Sequence, residues 1–199
     1  MSPQVLPVLG VCWRYENCWL PAHKKGSDMG YHETVLGHEV LSEAARLLEQ
    51  LRLTGMRVVT AESCTGGLVA GALTHFAGSS DVTEGGFVTY SNSMKQAVLG
   101  VRADTLALHG AVSAETVLQM AEGALTACAT ADIAVAISGI AGPGGGSLDK
   151  PVGLVWFATA LRGGETCASK QIFAGSRQRV REQAVLYALA SVSGRLVNR

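Results

Sequence analysis

Val58-Val59-Thr60-Ala61-Glu62-Ser63-Cys64-Thr65-Gly66-Gly67 is a short β-branched run that stops at a small polar cluster and a Gly-Gly pair. An apolar, helix-like segment follows over 67–76, with Ala70, Gly71 and Ala72 small enough for close packing on a sheet. The reading is a strand that hands a hydroxyl to a tight turn beside the start of a helix. Such a turn points backbone N–H groups and a positive dipole end at whatever sits there. Ser63 is therefore the first candidate for chemistry. Serine and threonine before a helix also act as N-caps, so this stretch alone leaves both roles open.

Upstream, the spacing predicts a helix over 34–53, with Val40, Ala44, Leu47, Leu48 and Leu51 on one apolar stripe. Gly55 ends it as a C-cap, and the first strand begins at Met56 and runs to Thr60. Downstream, Gly85–Tyr90 reads as a second strand that ends in the turn-and-cap cluster Ser91-Asn92-Ser93. A short helix carrying Lys95 stops at Gly100. Asp104 or Thr105 caps another that ends near His109-Gly110, and Ser113 caps a longer one to about Ala129. Val117, Met120, Ala121, Ala124 and Cys128 form the inner face of that longer helix. Ile133–Ser138 is a nearly all-apolar strand, as expected for one covered on both faces. Strands over 151–161 and 167–173 meet at Gly163-Gly164 as a hairpin, and a closing helix over 176–197 carries the stripe Val185, Leu189, Val192 and Leu196. Strands alternating with helices, then a hairpin and a helix, predict an α/β protein: a three-layer α/β/α sandwich with a mixed, mostly parallel sheet.

Bulk numbers restrict the function classes. The 199 residues are enough for one domain with a real core, and 48% hydrophobic against 16% charged residues argues against disorder. Sixteen basic and sixteen acidic residues cancel, so no basic field points to nucleic acid. No apolar run reaches the roughly 18 residues that span a bilayer. The five cysteines, Cys12, Cys18, Cys64, Cys128 and Cys167, are scattered without a zinc-type spacing. Their odd number, with no signal-peptide pattern at the start, fits a cytoplasmic location. Residues 1–33 read apart from the rest, with two of the three tryptophans and no clear period. We expect a poorly ordered extension there, followed by one domain over 34–199.

Three strand ends carry polar clusters: Ser63-Cys64-Thr65, Tyr90-Ser91-Asn92, and Ser138 with the loop Gly139–Ser147. In open α/β sheets, ligands gather in the crevice outside the carboxyl ends of the strands. The glycine loop is neither a dinucleotide fingerprint, because a strand follows it, nor a P-loop, because no Gly-Lys-Ser/Thr is present. Its bare N–H groups suit an anionic or amide-bearing ligand, although a plain flexible connection reads equally well. A serine needs a base to become a nucleophile, and no Ser-His-Asp set is evident. Lys95, the one lysine over 33–141, can act as that base if burial lowers its pKa; otherwise it is a solvated surface lysine. Arg177, Arg179 and Arg181 crowd the first turn of the last helix, where positive charge is unfavourable. Arg177 and Arg181 are four apart, so an anion between them or pairing with Glu182 or Glu165 would offset that cost.

Together, Ala61–Gly67, Gly86–Asn92 with Lys95, His109-Gly110-Ala111-Val112-Ser113, and Ser138-Gly139-Ile140-Ala141-Gly142-Pro143 with Lys150-Pro151-Val152-Gly153 resemble the CinA C-terminal domain family. The resemblance runs from about Val35 to Leu196. It implies an α/β/α fold, a homodimer, and hydrolysis of the carboxamide of nicotinamide mononucleotide, with no metal and no cofactor. It implies Ser63 as nucleophile and Lys95 as its base, with Tyr90 assisting. Thr65 and Gly66 supply oxyanion N–H groups by position, and Asn92, Gly139, Gly142 and Arg177 are expected substrate contacts. Ser176 departs from the family's Gly-Asp-Arg pattern, which bears on how Arg177 is oriented. Two rival readings are a non-catalytic, competence-associated regulatory module and an amidase for another small amide.

Overall fold

The computed structural model describes residues 36–197, so the extension read at 1–33 lies outside the described residues. In chain order the elements are α1 (His38–Thr54), β1 (Val58–Glu62), α2 (Leu68–Thr74), β2 (Thr83–Val88), α3 (Asn92–Leu99), α4 (Ala103–His109), α5 (Ala114–Ala127), β3 (Ile133–Gly139), β4 (Leu154–Leu161), β5 (Thr166–Ile172) and α6 (Arg177–Val197). The five strands form one sheet in the order β2-β1-β3-β4-β5. β1 pairs parallel with both β2 and β3, while β3–β4 and β4–β5 are antiparallel. Only β4 is therefore reversed, and the sheet is mixed with four strands pointing the same way.

Each face of the sheet feeds its own apolar cluster, because alternate strand residues point to opposite sides. Val58, Ile133, Val135, Ile137, Val155 and Phe157 meet α1, α2 and α6. Val59, Ala61, Ala134, Ala136, Ala158 and Ala160 meet α5 and the end of α3. The alanines on that second face let the helices approach closely. The expected α1 stripe is fully buried as read, and Gly55 closes the helix in the left-handed region with φ 65°.

Among the boundaries that differ from the sequence reading, β2 is Thr83–Val88 and not 85–90, so Tyr90 lies past its end, and those of β1 and α4 also move. β1 runs through Glu62, because parallel pairing on both sides continues to Val88 and Ile137. α4 begins one residue before Asp104, with Arg102 in the cap position. Asp104 instead pairs with Arg102 at 3.0 Å, and Thr105 accepts from Gln119 Nε2 at 2.8 Å. Ser113 caps α5 as expected, accepting from the Thr116 N–H at 3.2 Å. The link from β1 to β2 passes over one face and the link from β2 to β3 over the other. The carboxyl ends of β1 and β3 thus bound a topological switch crevice, where open α/β sheets bind ligands.

Candidate active site

Ser63 stands one residue past β1, its N–H donating to the Ile137 carbonyl of β3 at 3.0 Å. Lys95, in the first turn of α3, reaches back so that its Nζ lies 3.0 Å from Ser63 Oγ. The remaining contacts of Nζ are backbone carbonyls, Thr89 at 2.8 Å and Tyr90 at 3.3 Å. Lys95 is 1% exposed. Among the described residues no carboxylate pairs with it. Burial therefore pushes its pKa below the usual lysine range, against a smaller opposing influence from Cys64. Ser91 makes this placement possible by capping α3, accepting from the Met94 N–H at 3.2 Å. Ser63 and Lys95, distant in sequence, are the pair that the sequence reading joined.

Beside them is a group that sequence reasoning missed. Glu62 is fully buried, and its carboxylate accepts from the N–H groups of Gly67 (3.0 Å), Val69 (3.1 Å) and Ala70 (2.8 Å) and from Thr60 Oγ1 (3.1 Å). The first turn of α2 is thus satisfied by the protein itself, which corrects the expectation that its N–H groups face a ligand. The backbone can fold back this tightly because Gly66 and Gly67 both adopt positive φ, 64° and 92°. The sequence signal was an acidic residue just before a Ser and a Gly-Gly turn, one bend short of the usual capping position.

Of the two expected oxyanion donors, Gly66 is committed, since its N–H donates to the Ser63 carbonyl at 3.1 Å. Among the described residues, the N–H groups of Cys64 and Thr65 meet no backbone carbonyl, and the Cys64 N–H lies against its own thiol. The Thr65 carbonyl is held by Arg181 Nη2 at 3.0 Å, so α6 braces the turn from outside.

A cleft of about 190 Å³ opens over Ser63 and Lys95, walled by Tyr90, Val112, Ser138, Gly139, Ala141 and Arg177. Tyr90 is 63% exposed, and its hydroxyl accepts from Arg177 Nη2 at 3.3 Å. Its ring belongs to the mouth of the cleft, while its carbonyl reaches Lys95. Arg177 Nη1 donates to the Gly142 carbonyl at 2.9 Å, so Arg177 joins the glycine loop to Tyr90. Ser176, in place of the expected acidic residue, accepts from the Arg179 N–H at 3.4 Å at the start of α6. Arg179 pairs with Glu182 at 2.6 Å and takes no part in the cleft. Asn92 is exposed at the start of α3 and does not line the cleft. Gly139 does, and its missing side chain has a packing reason: a Cβ there would stand 2.8 Å from the Leu154 carbonyl of β4. The loop is anchored at its root, where the Ile140 N–H donates to Leu154 at 2.9 Å and Ile140 accepts from Gly153 at 2.7 Å. Ser138, noted in the sequence only as a strand end, donates from Oγ to the Ala111 carbonyl at 2.7 Å.

Known proteins share this arrangement of chain. The CinA C-terminal domain profile matches residues 41–196. The chain is 56% identical over 155 residues to the nicotinamide-nucleotide amidohydrolase PncC of Escherichia coli strain K12, across 76% of this chain and 93% of that protein. It is 46% identical over 161 residues to a CinA-like protein of Akkermansia muciniphila, across 78% of this chain but only 39% of that longer relative. The crystal structure of the competence/damage inducible protein CihA from Agrobacterium tumefaciens aligns with a TM-score of 0.77 at 47% identity, over 81% of this chain and 96% of that one. A CinA superfamily protein from Klebsiella pneumoniae aligns with a TM-score of 0.77 at 43% identity, over 80% of this chain and 99% of that one. With the profile, the identities and the fold in agreement over most of its length, the chain belongs to the CinA C-terminal domain family.

Proposed function

We propose that this domain is an amidohydrolase that converts nicotinamide mononucleotide to nicotinate mononucleotide and ammonia, with Ser63 as nucleophile and Lys95 as its base. The observation that carries this reading is the 3.0 Å contact between Lys95 Nζ and Ser63 Oγ in a buried setting. The likeness to PncC, a nicotinamide-nucleotide amidohydrolase, supplies the substrate class.

The geometry supports the following chemistry. Neutral Lys95 takes the Ser63 proton as Oγ bonds to the carboxamide carbon. The carbonyl oxygen becomes an oxyanion, and the N–H groups of Cys64 and Thr65, which no backbone carbonyl takes, are its donors in this reading. Collapse of the tetrahedral adduct breaks the C–N bond, and the Lys95 ammonium protonates the departing nitrogen, which leaves as ammonia. Water, deprotonated by Lys95, then attacks the ester, and Ser63 recovers its proton as the acid leaves. Arg177 at the cleft mouth faces the nucleotide phosphate in this reading, because a planar guanidinium suits bidentate contact with phosphate oxygens. Tyr90 borders the same end. The protein works as a cytoplasmic homodimer in this reading; the free thiols of Cys64, Cys128 and Cys167 fit a reducing compartment.

The test is ammonia release from nicotinamide mononucleotide, compared with nicotinamide and its riboside. Turnover of the phosphorylated compound, lost in Ser63→Ala, is the expected result. A protein that releases no ammonia from it, or a fully active Ser63→Ala, overturns the proposal.

A further inference from the structure

Ser63 and Ser138 are neighbours on adjacent strands. β1 and β3 pair in parallel with Glu62 opposite Ile137, and the Ser63 N–H donates to the Ile137 carbonyl. Ser63 and Ser138 occupy the next rung, about 4.8 Å apart in strand spacing. They also share a face. Ala61 and Ala136, two residues before each, both pack into the cluster formed with α5. Both serines line the cleft.

Ser138 is 1% exposed, and its one proton is already placed. Its partner is a carbonyl oxygen, Ala111 at 2.7 Å, which can only accept. The hydroxyl oxygen therefore presents only lone pairs to anything else beside it. A carboxamide held at Ser63 brings an NH₂ group that donates. The carboxylate of the product has acceptor oxygens only, so there lone pair would meet lone pair. A buried site made for a donor discriminates strongly against an analogue that lacks it.

We infer that Ser138 is a specificity-determining residue for this site, accepting a hydrogen bond from the substrate carboxamide nitrogen and disfavouring the carboxylate product. This rests on the deamidase reading of Ser63 and Lys95. It gives the enzyme a way to hold the amide and release the acid with one fixed hydroxyl. Lys95, if charged, would pull the other way, toward the carboxylate, which makes a comparison at constant Lys95 the informative one.

The test uses calorimetric binding of nicotinamide mononucleotide and nicotinate mononucleotide to the full chain in a Ser63→Ala background, where turnover is blocked. The amide nucleotide should bind about tenfold or more tightly than the acid. Adding Ser138→Ala should bring that ratio to within about twofold, and Ser138→Cys, which keeps the volume with a weak hydrogen-bonding group, should behave the same way. Thermal melts check that each variant is folded. If Ser138 only ties β3 to Ala111, both nucleotides weaken together and the ratio stays fixed, which overturns the inference. Equal affinities in the Ser63→Ala parent, or binding of neither nucleotide, overturn it as well. Wild-type ammonia release judges the deamidase reading separately: discrimination without ammonia release would sink that reading and leave Ser138 only as the acceptor of an amide-binding site.

Discussion

Lys95 Nζ touches Ser63 Oγ at 3.0 Å while the carbonyls of Thr89 and Tyr90 take its other contacts. A charged ammonium has three protons and would donate to all three oxygens. A neutral amine has two, which the two carbonyls accept, leaving its lone pair facing the Ser63 hydroxyl. The fold thus aims a neutral Lys95 at Ser63 in the way its proposed role as base requires. Lys95→Arg, which cannot deprotonate, should be as inactive as Lys95→Ala, each about 10²–10⁴-fold below wild type in ammonia release. An active arginine variant would remove Lys95 from the role of base.

The same contact fixes the pH dependence. Burial lowers the Lys95 pKa from its ordinary 10.5. Activity should rise with pH through that depressed value, so the acid limb of kcat/KM falls below 10.5. Stability shares the sign: between the folded pKa and the unfolded one, the unfolded chain binds more protons, so Lys95 makes stability rise with pH across that window. Lys95→Met should flatten that part of a denaturation-versus-pH curve. A kcat/KM profile with no acid limb under 10.5 would contradict this account.

Glu62 should matter for both folding and activity. Glu62→Ala strips four donors of their acceptor and should cost about 3–5 kcal/mol in urea unfolding. Glu62→Gln keeps the shape but has one acceptor oxygen, and should cost about 1–3 kcal/mol. Because the same carboxylate anchors the turn that carries Ser63, kcat of the folded Gln variant should fall while KM stays near wild type. Full kcat in a folded Glu62→Gln protein would confine Glu62 to stability.

Much of the fold was legible because it depends on periodicity. The α1 stripe, the apolar β3 and the Gly163-Gly164 hairpin each carry their signal within a short window. Ser63 was legible as a type at a strand end, Lys95 as the one lysine over 33–141, and both as family positions. Glu62 was not, since a carboxylate inside a strand becomes a helix cap only when two positive-φ glycines fold α2 back onto it. The Ser138 contact with Ala111 spans 27 residues, and no local pattern encodes it. Tyr90 was placed near Ser63 and Lys95 by its sequence neighbours, but its contact with Arg177 on the last helix spans 87 residues and has no local signal.

Cys64 sits beside Ser63, the proposed nucleophile, and its thiol has to be told apart from it. Burial pushes its thiol up to about 11, so at pH 8 only roughly one part in a thousand is thiolate. Cys64→Ala should keep ammonia release within about threefold of wild type. Iodoacetamide on the folded protein should label Cys128 and Cys167, which are partly exposed, well before Cys64, which is 6% exposed. Peptide mass mapping reads this order directly. Loss of activity in step with Cys64 alkylation, with Cys64→Ala active, would mean obstruction, whereas an inactive Cys64→Ala would make the thiol part of the chemistry.

Arg177 separates substrate holding from bond breaking. It joins Gly142 to Tyr90 across the cleft mouth and touches neither Ser63 nor Lys95. If it meets the substrate phosphate, Arg177→Ala should raise KM for nicotinamide mononucleotide by about 10–100-fold, with kcat changed far less. Arg177→Lys keeps the charge but loses the planar fork, and should recover only part of that loss. The Tyr90 contact gives an internal control, because Tyr90→Phe removes the hydroxyl without touching the guanidinium. It should shift KM by less than Arg177→Ala does. An equal rise for both variants would mean that the arginine acts by shaping the mouth and not by binding phosphate.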